Sequence, residues 1–377
     1  MLSYWEKESL ITFDVIIIGS GIVGLNAAIA YKSRYPNLRV VIFERGILPT
    51  GASTRNAGFA CFGGLSELVD DLQYDSEDAL VNLYAKRKNG ITLLRSLLGD
   101  TAIGFEQNGS HEFLRPDEAN VLDHLDNMNV LLKEHSKMPI FTRDDSKIKH
   151  FGISEKHYQY CIAAHEEGSI HTGKMMQSLL ELALKKGIVI KTGVMVDRFE
   201  ENNGKVTVEV KDDIRNGIIQ FQCAKLLICT NAFTSTFFPN LDIVPGRGQV
   251  IVTKPIPNLQ LQGIFHLDKG YYYFREINNR VLLGGGRNLD FKGETSTEFE
   301  GNATILAALI QKLQEEILPN HPFEIDMQWS GIMAFAASKQ PIIHRHSDAI
   351  SGAFRLGGMG VALGAQLALD LVELAEA

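Results

Sequence analysis

A cluster of glycines between a predicted strand and a predicted helix places the strongest constraint on the fold of this chain. The continuous β-branched run at 15–18 predicts a strand buried on both faces, and the small and apolar residues at 22–35 predict a helix. Gly19, Gly21 and Gly24 have the spacing of a phosphate-binding turn, which needs a tight bend, close approach of the backbone to a pyrophosphate and close helix–strand packing. The segment therefore predicts a dinucleotide-binding β-α-β unit.

An acidic residue, Glu44, ends the next buried run at 40–43. A carboxylate at this place can bind ribose hydroxyls and repels a 2'-phosphate, so NADP is disfavoured while FAD and NAD stay open. An enzyme that reduces a flavin with NAD(P)H normally needs a second nucleotide fold. The sequence contains no second strand–GxGxxG–helix unit, because the glycines at 284–286 have the wrong spacing. The pattern therefore favours FAD.

Composition narrows the class of protein. A chain of 377 residues is long enough for two domains, and its 45 acidic and 37 basic residues give a net charge of -8, which disfavours a nucleic-acid partner. The four cysteines lack CxxC or metal-ligand spacing, so we expect neither a zinc site nor a disulfide framework. We expect no metal, no transmembrane segment and no signal peptide, and hence a cytoplasmic protein.

The remaining patterns predict an α/β fold, with a Rossmann-type FAD-binding domain and a second α+β substrate domain built on an antiparallel sheet. Alternating runs at 249–253, 271–275 and 280–283 predict the antiparallel strands. Helical patterns at 76–99 and 117–135, with no strand signal between them, predict an inserted region that caps a pocket. The predicted FAD-binding domain comprises 1–75, 150–240 and 325–377, and the predicted substrate/cap domain comprises 76–149 and 241–324.

The segment GASTRNAGF at 51–59 resembles the D-amino-acid oxidase/glycine oxidase superfamily of FAD-dependent oxidoreductases. Further similar segments occur in the order found in that superfamily, at 167–171, 193–196, 229–232, 244–249 and 357–362. The resemblance implies that 53–58 wraps the pyrophosphate and flavin, that Val196 touches the adenosine half, and that the glycines from 357 meet the pyrimidine edge of the flavin. The predicted cofactor-binding residues are Gly19, Gly21, Ile22, Val23, Gly24, Glu44, Arg45, Ser53, Thr54, Arg55, Asn56, Ala57, Gly58, Val196, Thr230, Asn231, Gly331, Gly357, Gly358, Met359, Gly360 and Val361.

The chain departs from the superfamily pattern in its second half. Amino-acid oxidases of this type commonly bind the substrate carboxylate with an arginine where this chain has Met333. Some relatives attach FAD through a cysteine in this region, where this chain has none, so the resemblance implies non-covalent FAD. Sarcosine-oxidase-like relatives place an oxygen-activating lysine on the strand that matches 280–283, which has no lysine here. The electron acceptor, oxygen or a quinone, therefore stays open.

Candidate substrate residues come from the antiparallel strands. Alternation places Tyr271, Tyr273 and Arg275 on one face of a strand, and Tyr271 matches a substrate-binding hydroxyl of glycine-oxidase-like enzymes. Arg247 and Arg287 are candidates to replace the missing carboxylate clamp, because a guanidinium binds a carboxylate through two parallel hydrogen bonds. Tyr271, Tyr273, Arg247 and Arg287 are thus the predicted catalytic residues. A lone histidine such as His171 or His266 carries little information and is interpreted as structural.

These features predict an FAD-dependent amine or amino-acid oxidase or dehydrogenase that oxidises a C–N bond by hydride transfer to flavin N5. Two alternatives stay open at this stage. One is an FAD-dependent 2-hydroxy-acid dehydrogenase, and the other is a flavin-binding subunit without its own turnover. The expected partners are a small amine, amino-acid or hydroxy-acid substrate, and oxygen or a quinone as electron acceptor.

Overall fold

A computed structural model describes residues 2–212, 214 and 216–377. The α-helices are α1 (Tyr4–Ser9), α2 (Ile22–Arg34), α3 (Ala52–Arg55), α4 (Leu65–Asp71), α5 (Glu77–Leu98), α6 (Asp100–Ile103), α7 (Leu125–Leu131), α8 (Ser146–His150), α9 (Thr172–Lys185), α10 (Ala303–Lys312) and α11 (Gly360–Glu376). Short 3-10 helices lie at Pro116–His124, Lys133–His135, Asn231–Thr236, Asp268–Gly270 and Arg287–Leu289, and a π-helical turn lies at Leu313–Ile317.

The strands are β1 (Val15–Ile18), β2 (Val40–Glu44), β3 (Phe59–Ala60), β4 (Ser110–Leu114), β5 (Phe141–Arg143), β6 (Tyr160–Ala164), β7 (Gly168–Ser169), β8 (Val189–Thr192), β9 (Val196–Asn202), β10 (Lys205–Asp212), β11 (Gly217–Cys223), β12 (Lys225–Ile228), β13 (Val244–Thr253), β14 (Ile264–Leu267), β15 (Tyr272–Ile277), β16 (Arg280–Gly285), β17 (Ile325–Phe335), β18 (Ile342–Arg345) and β19 (Ile350–Phe354).

A six-stranded sheet in the order β18-β19-β12-β1-β2-β8 contains the predicted β-α-β unit. All neighbours pair in parallel except β18, which runs antiparallel to β19. Every residue of β1 is buried, because the two faces of the strand are both covered. Ile17 packs into a cluster with α2, α9 and α11, whereas Ile16 packs against the three-stranded sheet β11-β10-β9. The predicted Rossmann-type sheet is confirmed.

The second large sheet has eight strands in the order β17-β13-β16-β15-β14-β4-β6-β5 and is mainly antiparallel. One face packs against α10 through buried residues that include Phe265, Phe274 and Leu309. The other face lines a large cavity at the β14, β15, β13 and β17 positions. The predicted α/β fold with a second antiparallel sheet is thus confirmed.

The region between the two predicted helical patterns differs from expectation, because it contains a strand. All five residues of β4 are buried, including Ser110, His111 and Glu112. Because three of the five are polar, the strand lacks the apolar run by which a buried strand is recognised in a sequence. It joins the eight-stranded sheet between β14 and β6. The last of these, β6, falls within 150–240, which the sequence assigned to the FAD-binding part.

Helix α5 occupies a different place from the predicted cap. It packs along α11, and a Cβ at Gly90 would overlap the carbonyl oxygen of Ala362, so glycine is what allows the two helices to approach so closely. Its buried residues belong to the same cluster as α2 and α11, and none of its residues lines the cavity. Among the described residues, no helix is long and apolar enough to cross a membrane.

Candidate active site

A cavity of about 840 Å³ lies between the carboxyl ends of the parallel strands and the free face of the eight-stranded sheet. This is the edge at which open α/β sheets bind their ligands. Gly24, Thr54 and Gly58 do not line the cavity but belong to segments that do. The other predicted cofactor residues line it: Gly19, Gly21, Ile22, Val23, Glu44, Arg45, Ser53, Arg55, Asn56, Ala57, Val196, Thr230, Asn231, Gly331, Gly357, Gly358, Met359, Gly360 and Val361.

The glycine turn between β1 and α2 leaves no room for side chains. Gly19 has a φ of +104°, and a Cβ there would lie 2.7 Å from the carbonyl oxygen of Cys229. A Cβ at Gly21 would lie 2.8 Å from Ser53 Oγ, and a Cβ at Gly24 would overlap the carbonyl oxygen of Gly19. The backbone at the start of α2 is therefore open to an anion, which the N-terminal N–H groups of a helix favour.

The carboxylate of Glu44 faces the cavity from the end of β2 and is only 8% exposed. Its Oε2 accepts hydrogen bonds from the backbone N–H (3.1 Å) and the hydroxyl (2.7 Å) of Ser20, and its Oε1 accepts one from Gly46 N–H (3.0 Å). It forms no ion pair among the described residues. A fixed carboxylate without a cation fits the recognition of ribose hydroxyls.

The wrapping segment at 53–58 is tied to helix α2 and to the eight-stranded sheet. Ser53 Oγ accepts a hydrogen bond from Ile22 N–H (2.9 Å) at the start of α2, and Arg55 Nη1 donates to the carbonyl of Ser330 (2.8 Å) on β17. Arg275 extends from β15 and donates through Nη1 to the carbonyls of Gly58 (3.0 Å) and Ile170 (2.8 Å). Arg275 thus positions the segment rather than facing a ligand, a role the sequence did not reveal.

The part of the cavity lined by the predicted cofactor residues is called the cofactor half here, and the glycines before α11 lie at its opposite end. Gly357 and Gly358 have φ values of +56° and +84°, and α11 begins at Gly360 with its first residues on the cavity surface. A Cβ at Gly358 would lie 3.6 Å from the sulfur of Met333, so Met333 lies directly beside this turn. The start of a long helix can stabilise negative charge on a group bound there.

Cross-strand neighbours on β14, β15 and β16 of the eight-stranded sheet form the part of the cavity wall that we call the substrate half. His266 on β14 pairs with Tyr273 on β15, and Tyr273 pairs with Gly284 on β16. A Cβ at Gly284 would lie 2.5 Å from the ring of Tyr273, so the glycine makes room for that ring. Phe59 packs edge-on against both His266 (5.3 Å between centroids) and Tyr273 (5.6 Å). His266, which the sequence suggested was structural, lines the cavity.

The tyrosines of the predicted strand divide between core and cavity. Tyr272 and Phe274 are buried in the core, whereas Tyr273 faces the cavity, in agreement with the alternation. Tyr271 also lines the cavity and is 41% exposed, but it precedes β15 and has helical backbone angles. Its position follows from the turn at Asp268–Gly270 and not from strand alternation.

The two candidate arginines have different environments. Arg247 is buried and holds the fully buried Glu294 through two hydrogen bonds, from Nε (3.0 Å) and Nη2 (2.6 Å), and it does not line the cavity. Arg287 lines the cavity, with its guanidinium carbon 4.3 Å from the ring centre of Phe335 and 5.1 Å from that of Phe291. Of the two, only Arg287 is therefore placed to meet a ligand.

Three charged side chains that the sequence did not reveal line the same cavity, namely Glu67 and Asp71 on α4 and Lys339. Lys339 Nζ lies 2.6 Å from Asp71 and 3.2 Å from Glu67, and Arg87 reaches Glu67 at 3.4 Å. Burial alone would raise the pKa of Glu67, but Lys339 and Arg87 lower it to about 2. Lys339 is thus held between two carboxylates. These contacts join residues far apart in sequence, so no local pattern marks them.

Cys61 lines the cavity near Phe59 and is almost fully buried. Burial, together with Glu167 and Glu67, raises the pKa of its thiol well above the usual range, so the thiol stays protonated. All four cysteines are free. Within the described part of the chain, no group of three or more His, Cys, Asp or Glu residues is arranged to hold a metal ion.

The fold and the cofactor half define an oxidoreductase of the FAD-binding class. The FAD dependent oxidoreductase (DAO) family matches residues 14–374, and the chain belongs to this family. Its cofactor is FAD, and non-covalent binding is typical. The predicted superfamily and cofactor are thereby confirmed.

Solved structures of three enzymes named for amino-acid substrates share the fold over nearly the whole chain. Glycine oxidase from Geobacillus kaustophilus has a TM-score of 0.77 at 17% identity and covers 97% of this chain and 96% of its own. L-proline dehydrogenase from P. horikoshii has a TM-score of 0.76 at 16% identity, covering 97% and 93%. L-amino acid deaminase from Proteus vulgaris has a TM-score of 0.73 at 18% identity, covering 96% and 94%. At such identities the likeness concerns the fold alone.

A sequence relative with an assigned role is the flavoprotein subunit of 8-methylmenaquinol:fumarate reductase from Wolinella succinogenes. It is 28% identical over 228 residues, which are 60% of this chain. The match spans about a third (32%) of the length of that relative.

Proposed function

We propose that this protein oxidises the C–N bond of an amino acid or a closely related amine, with Arg287 and Tyr271 binding the carboxylate. The proposal rests on the observation that Arg287 lines the cavity without a partner for its buried Nε. Its Nε is buried without a hydrogen-bond partner, and among the described residues no carboxylate forms an ion pair with it. Burial lowers its pKa, while Tyr271 and Glu294 act in the opposite direction, but Glu294 is already held by Arg247. A partly buried cation of this kind favours an anionic ligand.

The surroundings of Arg287 suit such a ligand. A Cβ at Gly246 would lie 2.9 Å from Arg287 Nε, so glycine at this position of β13 leaves space for the guanidinium. Phe291 and Phe335 stack against it and limit its rotation and hydration. Tyr271 packs against Phe291 with ring centroids 6.0 Å apart, which brings a hydroxyl to the same wall. Arg287, in the turn that follows β16, thus takes the place of the arginine absent from position 333.

The remaining residues of the substrate half orient the substrate rather than abstract a proton. Glu67 and Asp71 are paired with Lys339, so neither is a free base. Tyr273, with its pKa raised to about 12 by burial, stays protonated, and with Phe59 it excludes water from the reacting carbon. Loss of a hydride from the α-carbon of the neutral amine, and of one proton from its nitrogen to solvent, yields an imine, which water hydrolyses. When bound, FAD supplies the acceptor for the hydride.

Anaerobic reduction of the purified FAD-loaded protein tests this function. We expect flavin absorbance to bleach with one or more amino acids or amines, and subsequent addition of oxygen or a quinone to identify the electron acceptor. Bleaching by 2-hydroxy acids but not by amines would instead support hydroxy-acid oxidation. Lack of bleaching by every amine, amino acid and hydroxy acid would contradict turnover by this chain alone.

Arg287→Gln is expected to raise KM for the amino acid that bleaches the flavin by about 10- to 100-fold, since a charge-assisted hydrogen bond contributes about 1.5–3 kcal/mol. Steady-state kinetics measure the change, and kcat should fall less than kcat/KM. Arg143 on β5 is exposed and paired with Asp145. Arg143→Gln is therefore the matched control and should leave KM unchanged. Equal effects of the two substitutions would contradict the role of Arg287.

A further inference from the structure

His266 is a buried polar side chain with an unmet hydrogen-bonding capacity at the cavity wall. It is 6% exposed, and its Nε2 has no hydrogen-bond partner among the described atoms. A buried nitrogen without a partner costs about 1–3 kcal/mol, so a native structure normally satisfies it with protein, water or ligand. Because His266 lines the cavity, a bound molecule can satisfy it.

A second histidine in the same sheet shows which part of this observation is informative. His111 on β4 is 7% exposed and also has an unpartnered ring nitrogen, Nδ1. It packs against Phe151 and Phe265 and does not line the cavity. An unsatisfied nitrogen is therefore not by itself a site in this protein. His266 differs from His111 because it lines the cavity and is the cross-strand neighbour of Tyr273, which lines the cavity too.

We propose that His266 contacts the substrate, with an unprotonated imidazole nitrogen accepting a hydrogen bond from the substrate amino group while Arg287 holds the carboxylate. The inference rests on the proposed function, because it assigns the nitrogen end of the same substrate. His266 would then select amino acids over simple carboxylates of the same size, since these offer its acceptor nitrogen no donor. The edge of Phe59 holds the ring in the orientation that this contact needs.

The charge state of the ring agrees with this assignment. Burial lowers the pKa of His266 to about 4, although the carboxylate of Glu67 acts in the opposite direction, so the ring is neutral at physiological pH. A neutral imidazole offers one acceptor nitrogen and does not repel an ammonium group. Glu67 on the same side of the cavity is ionised, but Lys339 and Arg87 balance its charge, so the contact depends on the hydrogen bond to the ring nitrogen.

Two unreactive ligands test the contact without turnover. In 2-aminoisobutyrate the α-carbon carries no hydrogen, so it cannot lose a hydride, and in pivalate a methyl group replaces the amino group. Calorimetric titration of the FAD-loaded protein measures the Kd of each. We expect the wild type to bind 2-aminoisobutyrate more tightly than pivalate. His266→Phe should raise the Kd of 2-aminoisobutyrate by about tenfold and leave the Kd of pivalate unchanged. His111→Phe, the matched control, should change neither affinity.

Two further variants keep the test decisive. His266→Ala cannot overpack the site and should show the same selective loss, whereas His266→Gln keeps an acceptor oxygen and should retain most of the affinity for 2-aminoisobutyrate. Equal affinity of the wild type for the two ligands, no binding of either, or equal losses for both ligands in His266→Phe and His266→Ala would overturn the proposal. If amino acids bleach the flavin but the His266 variants keep the wild-type preference for 2-aminoisobutyrate, only the role of His266 is rejected. If the His266 variants lose affinity for 2-aminoisobutyrate alone but no amino acid bleaches the flavin, only the proposed oxidation is rejected.

Discussion

Gly24→Ala is expected to weaken FAD binding at least about 100-fold, which corresponds to the upper part of the 1–3 kcal/mol typical of overpacking. The added methyl group would overlap the carbonyl oxygen of Gly19, so α2 must move away from the turn that presents its N–H groups. Flavin content after purification and titration of the apoprotein with FAD measure the loss. Circular dichroism reports whether the fold is retained.

Gly173→Ala is the control for this substitution. Gly173 is exposed in the first turn of α9 and does not line the cavity, and the nearest atom to a Cβ there belongs to the ring of His171, at 3.3 Å. This variant should therefore bind FAD like the wild type. If Gly24→Ala binds FAD as tightly as Gly173→Ala, the close packing of α2 on β1 is not what shapes the phosphate site.

Arg247→Met is expected to lower the free energy of unfolding by about 3–5 kcal/mol, because it leaves the carboxylate of Glu294 buried without its partner. Denaturant unfolding in saturating FAD, followed by circular dichroism, measures the change. The double variant Arg247→Met/Glu294→Leu removes both charges and should recover most of the stability. A loss that persists in the double variant would assign the effect to packing, and no loss in the single variant would contradict the structural role of the pair.

Local sequence patterns were sufficient to predict the β-α-β unit of the six-stranded sheet. Gly19 and Gly21 lie between β1 and α2, Gly24 lies in the first turn of α2, and Glu44 is the last residue of β2. Such features depend on residues close in sequence, where periodicity and backbone requirements act directly. The eight-stranded sheet was predicted in part, since Tyr272 and Phe274 alternate with Tyr273 as a half-buried strand requires.

The substrate half depended on contacts that no local pattern contains. Strand β4 was missed because its interior positions include His111 and Glu112, which the sheet buries among distant neighbours. The pairing of Arg247 with Glu294, and of Lys339 with Asp71, joins segments separated by many residues. Two arginines that looked equivalent in sequence therefore differ in whether a partner already holds them.

The hydrogen bond from Ile22 N–H to Ser53 Oγ joins the first turn of α2 to the wrapping segment. Arg55 and Arg275 attach that segment to the eight-stranded sheet. Because these links join parts of the chain itself, they contribute to ordering the loop independently of any contact with FAD. To that extent, less of the free energy of FAD binding is spent on fixing the loop.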